Sequence, residues 1–199
     1  MIDPVRITNF NSTTEELEEF LLFCIAVAGK NATRTAKMLE NLLQYGRDEF
    51  WDGTPFQTIR AMKQQMNLSA VMKEFGFGCY NIKSRGFEEA VNSGLDLKTC
   101  TVDDLEAIYG IGMKSARYFI LHTRKNARVA CLDTHVLKWL SYYTGYEVPS
   151  HTPTRKKYLA LEQIFLKIAE VMNISPADLD LKIWNKQRGT DEESLAQSS

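Results

Sequence analysis

The chain has few of the features that mark secreted, membrane-spanning or β-rich proteins. Its 199 residues include only four cysteines, separated by 55, 21 and 31 positions: Cys24, Cys79, Cys100 and Cys131. This spacing fits neither a disulfide framework nor a cysteine metal site, and it favours a reducing intracellular compartment. No apolar run reaches transmembrane length, and the first residues lack a signal-peptide pattern. We therefore expect a soluble intracellular protein with no membrane partner.

A strong charge of either sign is also missing. The 24 basic and 25 acidic residues give a net charge of −1, which excludes a uniformly basic nucleic-acid coat protein. Charge can still be concentrated locally. Two basic clusters are present, one formed by Arg117, Arg124, Lys125 and Arg128 and the other by Arg155, Lys156 and Lys157. Because basic runs are commonly solvated faces, they support nucleic-acid binding only weakly.

Alternating strand patterns are scarce, whereas helical spacing of apolar residues recurs along the chain. The patterns predict an all-α fold of about nine to eleven helices, including a central helix that is apolar on nearly every side from Phe20 to Val27. With 44% hydrophobic residues in the chain, a sizeable core can be buried, and we predict that residues 1–188 form a single domain, which could consist of two small lobes. Residues 189–199 contain almost no apolar side chains, so we predict a disordered tail there.

The most informative segment is Leu105–Leu140. Thr101 and Asp104 predict a capped helix from about Val102 to Tyr109, and the sequence Gly110-Ile111-Gly112 separates it from a second helix that begins near Met113. We expect this hairpin, at about residues 102–125, to bury Ile111 and to expose backbone N–H groups, which suit a nucleic-acid phosphate. A glycine cap between two packed helices is an equally good interpretation of the glycines alone.

Lys114 and Asp133 add possible chemistry to the hairpin. Lys114 lies in the first helical turn, where the positive end of the dipole favours the neutral amine that a nucleophile needs. Because the second helix spans about 16 Å and residues 127–132 can return up to about 20 Å, Asp133 can come back to the level of Lys114. A carboxylate there could relay protons or stabilise a cation. Alternatively, Lys114 is a surface lysine and Asp133 is a helix N-cap.

The run IYGIGMKSA followed by CLDTH resembles the helix-hairpin-helix DNA glycosylase superfamily, which includes endonuclease III and the 8-oxoguanine DNA glycosylases. The resemblance implies two helical lobes with a central cleft, and it makes Lys114 the Schiff-base lysine and Asp133 the catalytic carboxylate. The sequence departs from the usual pattern at Tyr109, where proline is common, and at Cys131-Leu132 in the return loop. We interpret His135 as structural, near Asp133.

The resemblance also bears on cofactors. Endonuclease III-like members often carry four clustered cysteines near the C-terminus for an iron–sulfur cluster, but this chain has no cysteine after Cys131. We therefore expect no cluster and no other metal site, and we favour the cluster-free 8-oxoguanine branch. A monovalent cation at the hairpin is possible by analogy.

The expected partner is double-stranded DNA that contains a damaged or modified base, bound by a monomer in the cytoplasm and nucleoid, or in a nucleus. The turn before the second helix, the start of the helix before the hairpin, and the hairpin itself supply the candidate contacts. These are Lys30, Asn31, Arg34, Lys83, Arg85, Gly110, Ile111, Gly112 and Arg117. Phe77 or Tyr80 could wedge into a base stack, although core packing suits them better.

The function implied is a base-excision DNA glycosylase with AP lyase activity, with 8-oxoguanine as the favoured base. Three alternatives remain at this point. The same fold could excise another oxidised or modified base, including one in foreign DNA. The chain could be a non-catalytic DNA-binding module in which Lys114 contacts phosphate and Asp133 caps a helix. It could also be a helical interaction protein unrelated to DNA.

Overall fold

In a computed structural model of the chain, residues 2–145, 147, 149 and 151–196 are described, with only the backbone described from 187 onwards. Over this part of the chain there are ten α-helices and no strand, which confirms the all-α prediction. The helices are α1 Thr14–Ala26, α2 Ala32–Glu49, α3 Pro55–Gln65, α4 Leu68–Glu74, α5 Tyr80–Asn92, α6 Val102–Glu106, α7 Met113–Thr123, α8 Thr134–Thr144, α9 Arg155–Val171 and α10 Pro176–Ala196.

Local side-chain caps define where several helices begin. Thr13, Thr54 and Thr101 each accept a hydrogen bond from the backbone N–H three residues on, and the side chain at that position bonds back to the cap. Such caps stabilise a helix by about 1 kcal/mol. The predicted cap of α6 by Thr101 and Asp104 is confirmed, since both partners lie within one turn of the chain.

The chain divides into two compact units, of which the first is Met1–Thr123 and contains α1 to α7. Helix α1 is its centre and packs against α2, α3, α5 and α7. Leu21, Leu22 and Phe23 are completely buried in α1, as the apolar run predicts. The ring of Phe20 contacts the ring of Phe119 on α7 at a centroid distance of 5.6 Å. The centre of the first unit therefore supports the helix that carries Lys114.

The second unit, Arg124–Ser199, contains α8, α9 and α10. Helix α10 packs against α8 and α9. The Trp139 ring on α8 meets the Phe165 ring on α9 edge to face, with centroids 6.3 Å apart. A segment without helix or strand, residues 127–133, precedes α8. Its last residue is Asp133, so the second unit positions the proposed carboxylate.

Helix α10 continues to Ala196, beyond Gly189, where the low apolar content predicts the start of a disordered tail. Residues 190–196 are rich in good helix formers such as glutamate, leucine and alanine, and a helical backbone does not require an apolar face. The last part of the predicted tail, residues 197–199, lies outside the described residues. No described helix is both long enough and apolar enough to cross a membrane.

Candidate active site

The predicted hairpin is present, but its first helix is shorter than expected. Helix α6 ends at Glu106 rather than at Tyr109. After it, the Ile108 N–H donates to Leu105 O at 3.1 Å, and the Tyr109 N–H donates to Glu89 Oε2 on α5 at 2.8 Å. The tighter turn and the outside acceptor replace the α-helical bonds of these residues. Tertiary structure, which periodicity does not reveal, therefore ends the helix.

The tip of the hairpin is open to solvent. Gly110 has a φ of +83°, which a residue with a Cβ rarely adopts. Gly110 and Gly112 are exposed, whereas Ile111 is buried as predicted. A Cβ added at Gly112 would meet no atom within 4 Å. The N-terminus of the 11-residue helix α7 follows this tip, so a ligand phosphate can approach its first-turn N–H groups and its positive dipole end.

Helix α5 holds the turn through two side chains, Arg85 and Glu89, and one glycine, and the turn itself contributes Tyr109. Arg85 Nε donates to Glu89 Oε1 at 3.0 Å, and the guanidinium lies 3.8 Å from the centroid of the Tyr109 ring. The hydrogen bond from the Tyr109 N–H and, to a smaller extent, the one from Arg85 lower the pKa of Glu89. At Gly86, an added Cβ would lie only 2.7 Å from Tyr109 O. We call Arg85, Glu89 and Tyr109 the tip clamp.

Lys114 lies in the first turn of α7 and is half-buried. Its Nζ is 5.3 Å from the centroid of the Tyr118 ring, one helical turn further on. That ring packs edge to face on Phe20 of α1, with centroids 5.5 Å apart. Burial raises the pKa of the nearby Cys24 thiol, and the positive charge of Lys114 opposes this only in part. The amine therefore stands beside an aromatic ring and close to a thiol that stays protonated.

Asp133 is the N-cap of α8. Its Oδ1 accepts hydrogen bonds from the backbone N–H groups of His135, at 2.9 Å, and Val136, at 2.8 Å. The side chain is half-buried. These bonds fix the carboxylate at the helix start, and they confirm the capping interpretation without excluding a chemical role. The Nδ1 atom of His135 is buried and has no hydrogen-bond partner among the described residues.

The structure does not expose two of the predicted DNA contacts, Lys83 and Arg117, because their charged side chains are buried. Lys83 is only 3% exposed and donates to the carbonyl oxygen of Ala26 at the end of α1. Its burial, with the charge of Lys30, lowers the pKa of the Lys83 amine. Arg117 is 4% exposed and forms a 2.7 Å ion pair with Glu106. Each charge therefore satisfies an internal acceptor instead of reaching a phosphate.

The predicted contacts outside the hairpin other than Lys83 are accessible, whereas Ile111 in the hairpin is buried. Lys30, Asn31 and Arg34 are exposed, and the Asn31 side chain caps α2 by accepting from the Arg34 N–H at 2.9 Å. Arg85 is exposed, although it is engaged in the tip clamp. Phe77 is buried, as the core-packing interpretation predicts, and therefore cannot wedge between bases.

The two proposed catalytic residues fall in different units, Lys114 in the first and Asp133 in the second. Within the described residues, no group of three or more His, Cys, Asp or Glu side chains could hold a metal ion. The absence of an iron–sulfur cluster remains a prediction. Glu89 was not predicted to contribute to the site. Its spacing of four from Arg85 indicates an ion pair on a helix, but nothing local indicates its bond to Tyr109.

Comparison with known proteins identifies the family of the chain. A family model described as 8-oxoguanine DNA glycosylase matches residues 3–174. A Thermoplasma acidophilum protein named 8-oxoguanine DNA glycosylase/AP lyase is 30% identical over 195 residues, covering 90% of this chain and 83% of that protein. A Thermoplasma volcanium protein of the same name is 32% identical over 188 residues, covering 88% of this chain and 82% of the relative.

A solved structure agrees in fold. It is that of the 8-oxoguanine glycosylase/lyase of Methanocaldococcus jannaschii in complex with a 15mer DNA containing 8-oxoguanine. It superimposes with a TM-score of 0.70 at 24% identity, covering 92% of this chain and 88% of the other. Together with the hairpin and the extent of the family match, these similarities lead to one conclusion. The chain belongs to the 8-oxoguanine DNA glycosylase family.

Proposed function

We propose that the chain is a DNA glycosylase with AP lyase activity that excises 8-oxoguanine from double-stranded DNA. One observation carries the proposal beyond family membership. Lys114 is half-buried in the first turn of α7, directly behind an open Gly-Ile-Gly turn. A nucleophilic amine needs such a place, because the turn can hold the backbone of the target nucleotide while the amine reaches its sugar.

The target base must leave the duplex first, because a side chain cannot reach the sugar carbon of a stacked nucleotide. Flipping costs a few kcal/mol, which phosphate contacts and a base pocket offset. In the proposed reaction, Lys114 Nζ attacks C1′, the bond from C1′ to the base breaks, and the base leaves with a proton. The sugar ring opens to an imine on Lys114. Loss of a C2′ proton then expels the 3′ phosphate and cuts the strand.

Asp133 is the proposed carboxylate of this reaction. It would stabilise positive charge on the sugar and accept the proton that Lys114 must lose. Its Oδ1 is held by two backbone N–H groups, so the carboxylate is oriented before substrate arrives and need not reorganise during the reaction. Reaction at a fixed carboxylate is faster than at one that must first be ordered.

The proposed DNA contacts are those that remain accessible. The hairpin tip would hold a phosphate by backbone N–H groups, and Lys30, Asn31 and Arg34 would contact the duplex. We propose that the chain works as an intracellular monomer without an iron–sulfur cluster. The relatives' names and the bound DNA of the M. jannaschii enzyme support the choice of 8-oxoguanine.

Borohydride trapping tests the proposal. Duplexes that contain 8-oxoguanine, an oxidised pyrimidine or an abasic site are incubated with the parent chain, Lys114→Gln, Asp133→Asn and Lys37→Gln. The last is a matched control, because Lys37 is an exposed lysine on α2. We expect a covalent adduct with the 8-oxoguanine duplex that is absent in Lys114→Gln and kept in Lys37→Gln.

Other results would point to the alternatives. Stronger trapping on the pyrimidine duplex would indicate a different base on the same chemistry. Abasic product without strand cleavage would indicate a glycosylase that lacks lyase activity. Tight binding without product on any duplex would favour a DNA-binding module, and an adduct that survives in Lys114→Gln would remove this lysine from the reaction.

A further inference from the structure

The segment that leads to Asp133 is buried but belongs to no helix or strand. Ala130 and Leu132 are completely buried, and Cys131 is 2% exposed. Backbone N–H and C=O groups in such a place need partners, because leaving one unpaired is costly. No neighbouring strand can supply these partners within the described residues. Side chains from another element must therefore do so.

Helix α9 supplies them. The Tyr158 hydroxyl donates to Ala130 O at 2.8 Å and accepts from the Leu132 N–H at 3.0 Å. One turn further on, Glu162 Oε1 accepts from the Ala130 N–H at 2.9 Å. Tyr158 is completely buried, and Glu162 is 4% exposed. We call Tyr158 and Glu162 the loop clamp.

The loop clamp reaches almost to the proposed catalytic carboxylate. The Tyr158 oxygen alone bonds to the residues on both sides of Cys131, and the Asp133 N–H donates to Cys131 O at 2.8 Å. On its other side, Asp133 is fixed by the first turn of α8. The position of the carboxylate is thus set from both directions of the chain.

We propose that Tyr158 and Glu162 are positioning residues for the excision reaction and that they act through Asp133. This inference rests on the proposed function. Neither residue needs to touch DNA. The hydroxyl does more than fill space, because phenylalanine has almost the same shape but can neither donate to Ala130 O nor accept from the Leu132 N–H. A small shift of a reacting group lowers a rate steeply, by up to about 100-fold for about 1 Å.

The test compares Tyr158→Phe with the parent chain under single-turnover conditions on an 8-oxoguanine duplex. We expect the excision rate to fall by about tenfold or more, while affinity for a duplex with a tetrahydrofuran abasic analogue changes less than about twofold, because no DNA contact is lost. Thr58→Val is the matched control. Its buried hydroxyl faces the carbonyl oxygens of Trp51 and Gly53 at 3.3 and 3.4 Å, and its loss should leave the rate unchanged.

A double-mutant cycle separates positioning from general loosening. If Tyr158 acts through Asp133, adding Tyr158→Phe to Asp133→Asn should lower the rate no further, because the oriented carboxylate is already gone. Additive losses in the cycle, or equal rates for Tyr158→Phe and Thr58→Val, would overturn the proposal.

Glu162 gives a second measurement should Tyr158→Phe fold poorly. Glu162→Gln keeps a carbonyl oxygen for the Ala130 N–H, whereas Glu162→Ala removes it. We expect Glu162→Gln to excise faster than Glu162→Ala, and equal rates would count against the loop clamp. A parent chain that excises nothing would instead refute the proposed function, so the two failures are distinguishable.

Discussion

The tip clamp and the loop clamp hold the two proposed catalytic segments by opposite means. At the hairpin, Glu89 is paired with Arg85 in solvent, where their side chains are 38% and 61% exposed. At the Asp133 segment, the Tyr158 hydroxyl makes its two bonds in a completely buried place. Both bind a backbone N–H that neither a helix nor a strand satisfies. The tip clamp is a charged pair exposed to solvent, whereas the loop clamp depends mainly on a buried hydroxyl group.

The difference is consistent with what each segment must do. A hairpin tip that binds DNA must leave its backbone N–H groups accessible on one side. The residues that support it can therefore contact it only from the other side, and they remain partly exposed to solvent. Exposed ion pairs contribute little and are screened by salt. The Asp133 segment runs through the interior of its unit, where an unpaired polar group costs far more than at the surface. We therefore expect the two clamps to differ in their effects on stability, on binding and on pH response.

The largest difference should appear in stability. Tyr158→Phe leaves Ala130 O and the Leu132 N–H without their partner, and we expect it to lower the free energy of unfolding by about 1–3 kcal/mol. Glu89→Ala should change it no more than Glu40→Ala, which removes a carboxylate of similar exposure from a surface ion pair. Equilibrium urea unfolding of the three variants measures this. Equal losses from Tyr158→Phe and Glu89→Ala would abolish the contrast.

A smaller effect, caused by the tip clamp rather than the loop clamp, should appear in the affinity for DNA. Removing a negative charge ordinarily strengthens attraction to phosphate, so Glu40→Ala should bind a tetrahydrofuran duplex slightly more tightly. Glu89→Ala should bind it roughly two- to fivefold more weakly, the scale of one exposed ion pair, because the turn loses its acceptor for the Tyr109 N–H. Fluorescence anisotropy at fixed salt is sufficient. Tighter binding by both variants would mean that Glu89 does not organise the tip.

The smallest effect should appear in how the stability of the protein depends on pH. The folded pKa of Glu89 is below its ordinary value of 4.5, so the carboxylate contributes stability above about pH 4.5 and loses that contribution as the pH falls through the lowered pKa. The difference in unfolding midpoint between the parent chain and Glu89→Gln should therefore be present at pH 7 and shrink in acid. Thermal melts from pH 7 to pH 3 follow it. A difference that stays constant would contradict the assignment.

Features whose partners lie close together in sequence could be predicted from it. Thr101 and Asp104 form the expected cap of α6, Ile111 turns inward between its glycines, and Asp133 caps α8 as one interpretation proposed. The two caps depend on residues within one helical turn, where propensity and spacing act directly. The all-α fold follows from the same periodicity, repeated over the chain.

Features with distant partners could not be predicted. Lys83 and Arg117 look like surface cations, because their acceptors, Ala26 O and Glu106, come from other elements. The partners of Tyr158 and Glu162 lie 26 to 32 residues away. No local pattern tells which irregular segment contacts the Tyr158 hydroxyl. The hydrogen-bond partners of buried polar groups are determined by the assembled fold, so a local sequence pattern does not predict them.

Gly86 on α5 lies in close contact with the hairpin turn that α5 supports. A single methyl group at this position would lie 2.7 Å from Tyr109 O and 3.0 Å from Ile25 Cγ2. The first neighbour is backbone and cannot rotate away, so even alanine would act as a wedge that pushes the turn outward from α5. The absence of a Cβ at position 86 therefore allows the backbone of the turn to lie this close to α5. Position 86 thus limits how closely the turn that we propose to contact DNA can approach α5, although glycine has no side chain that could bind a ligand.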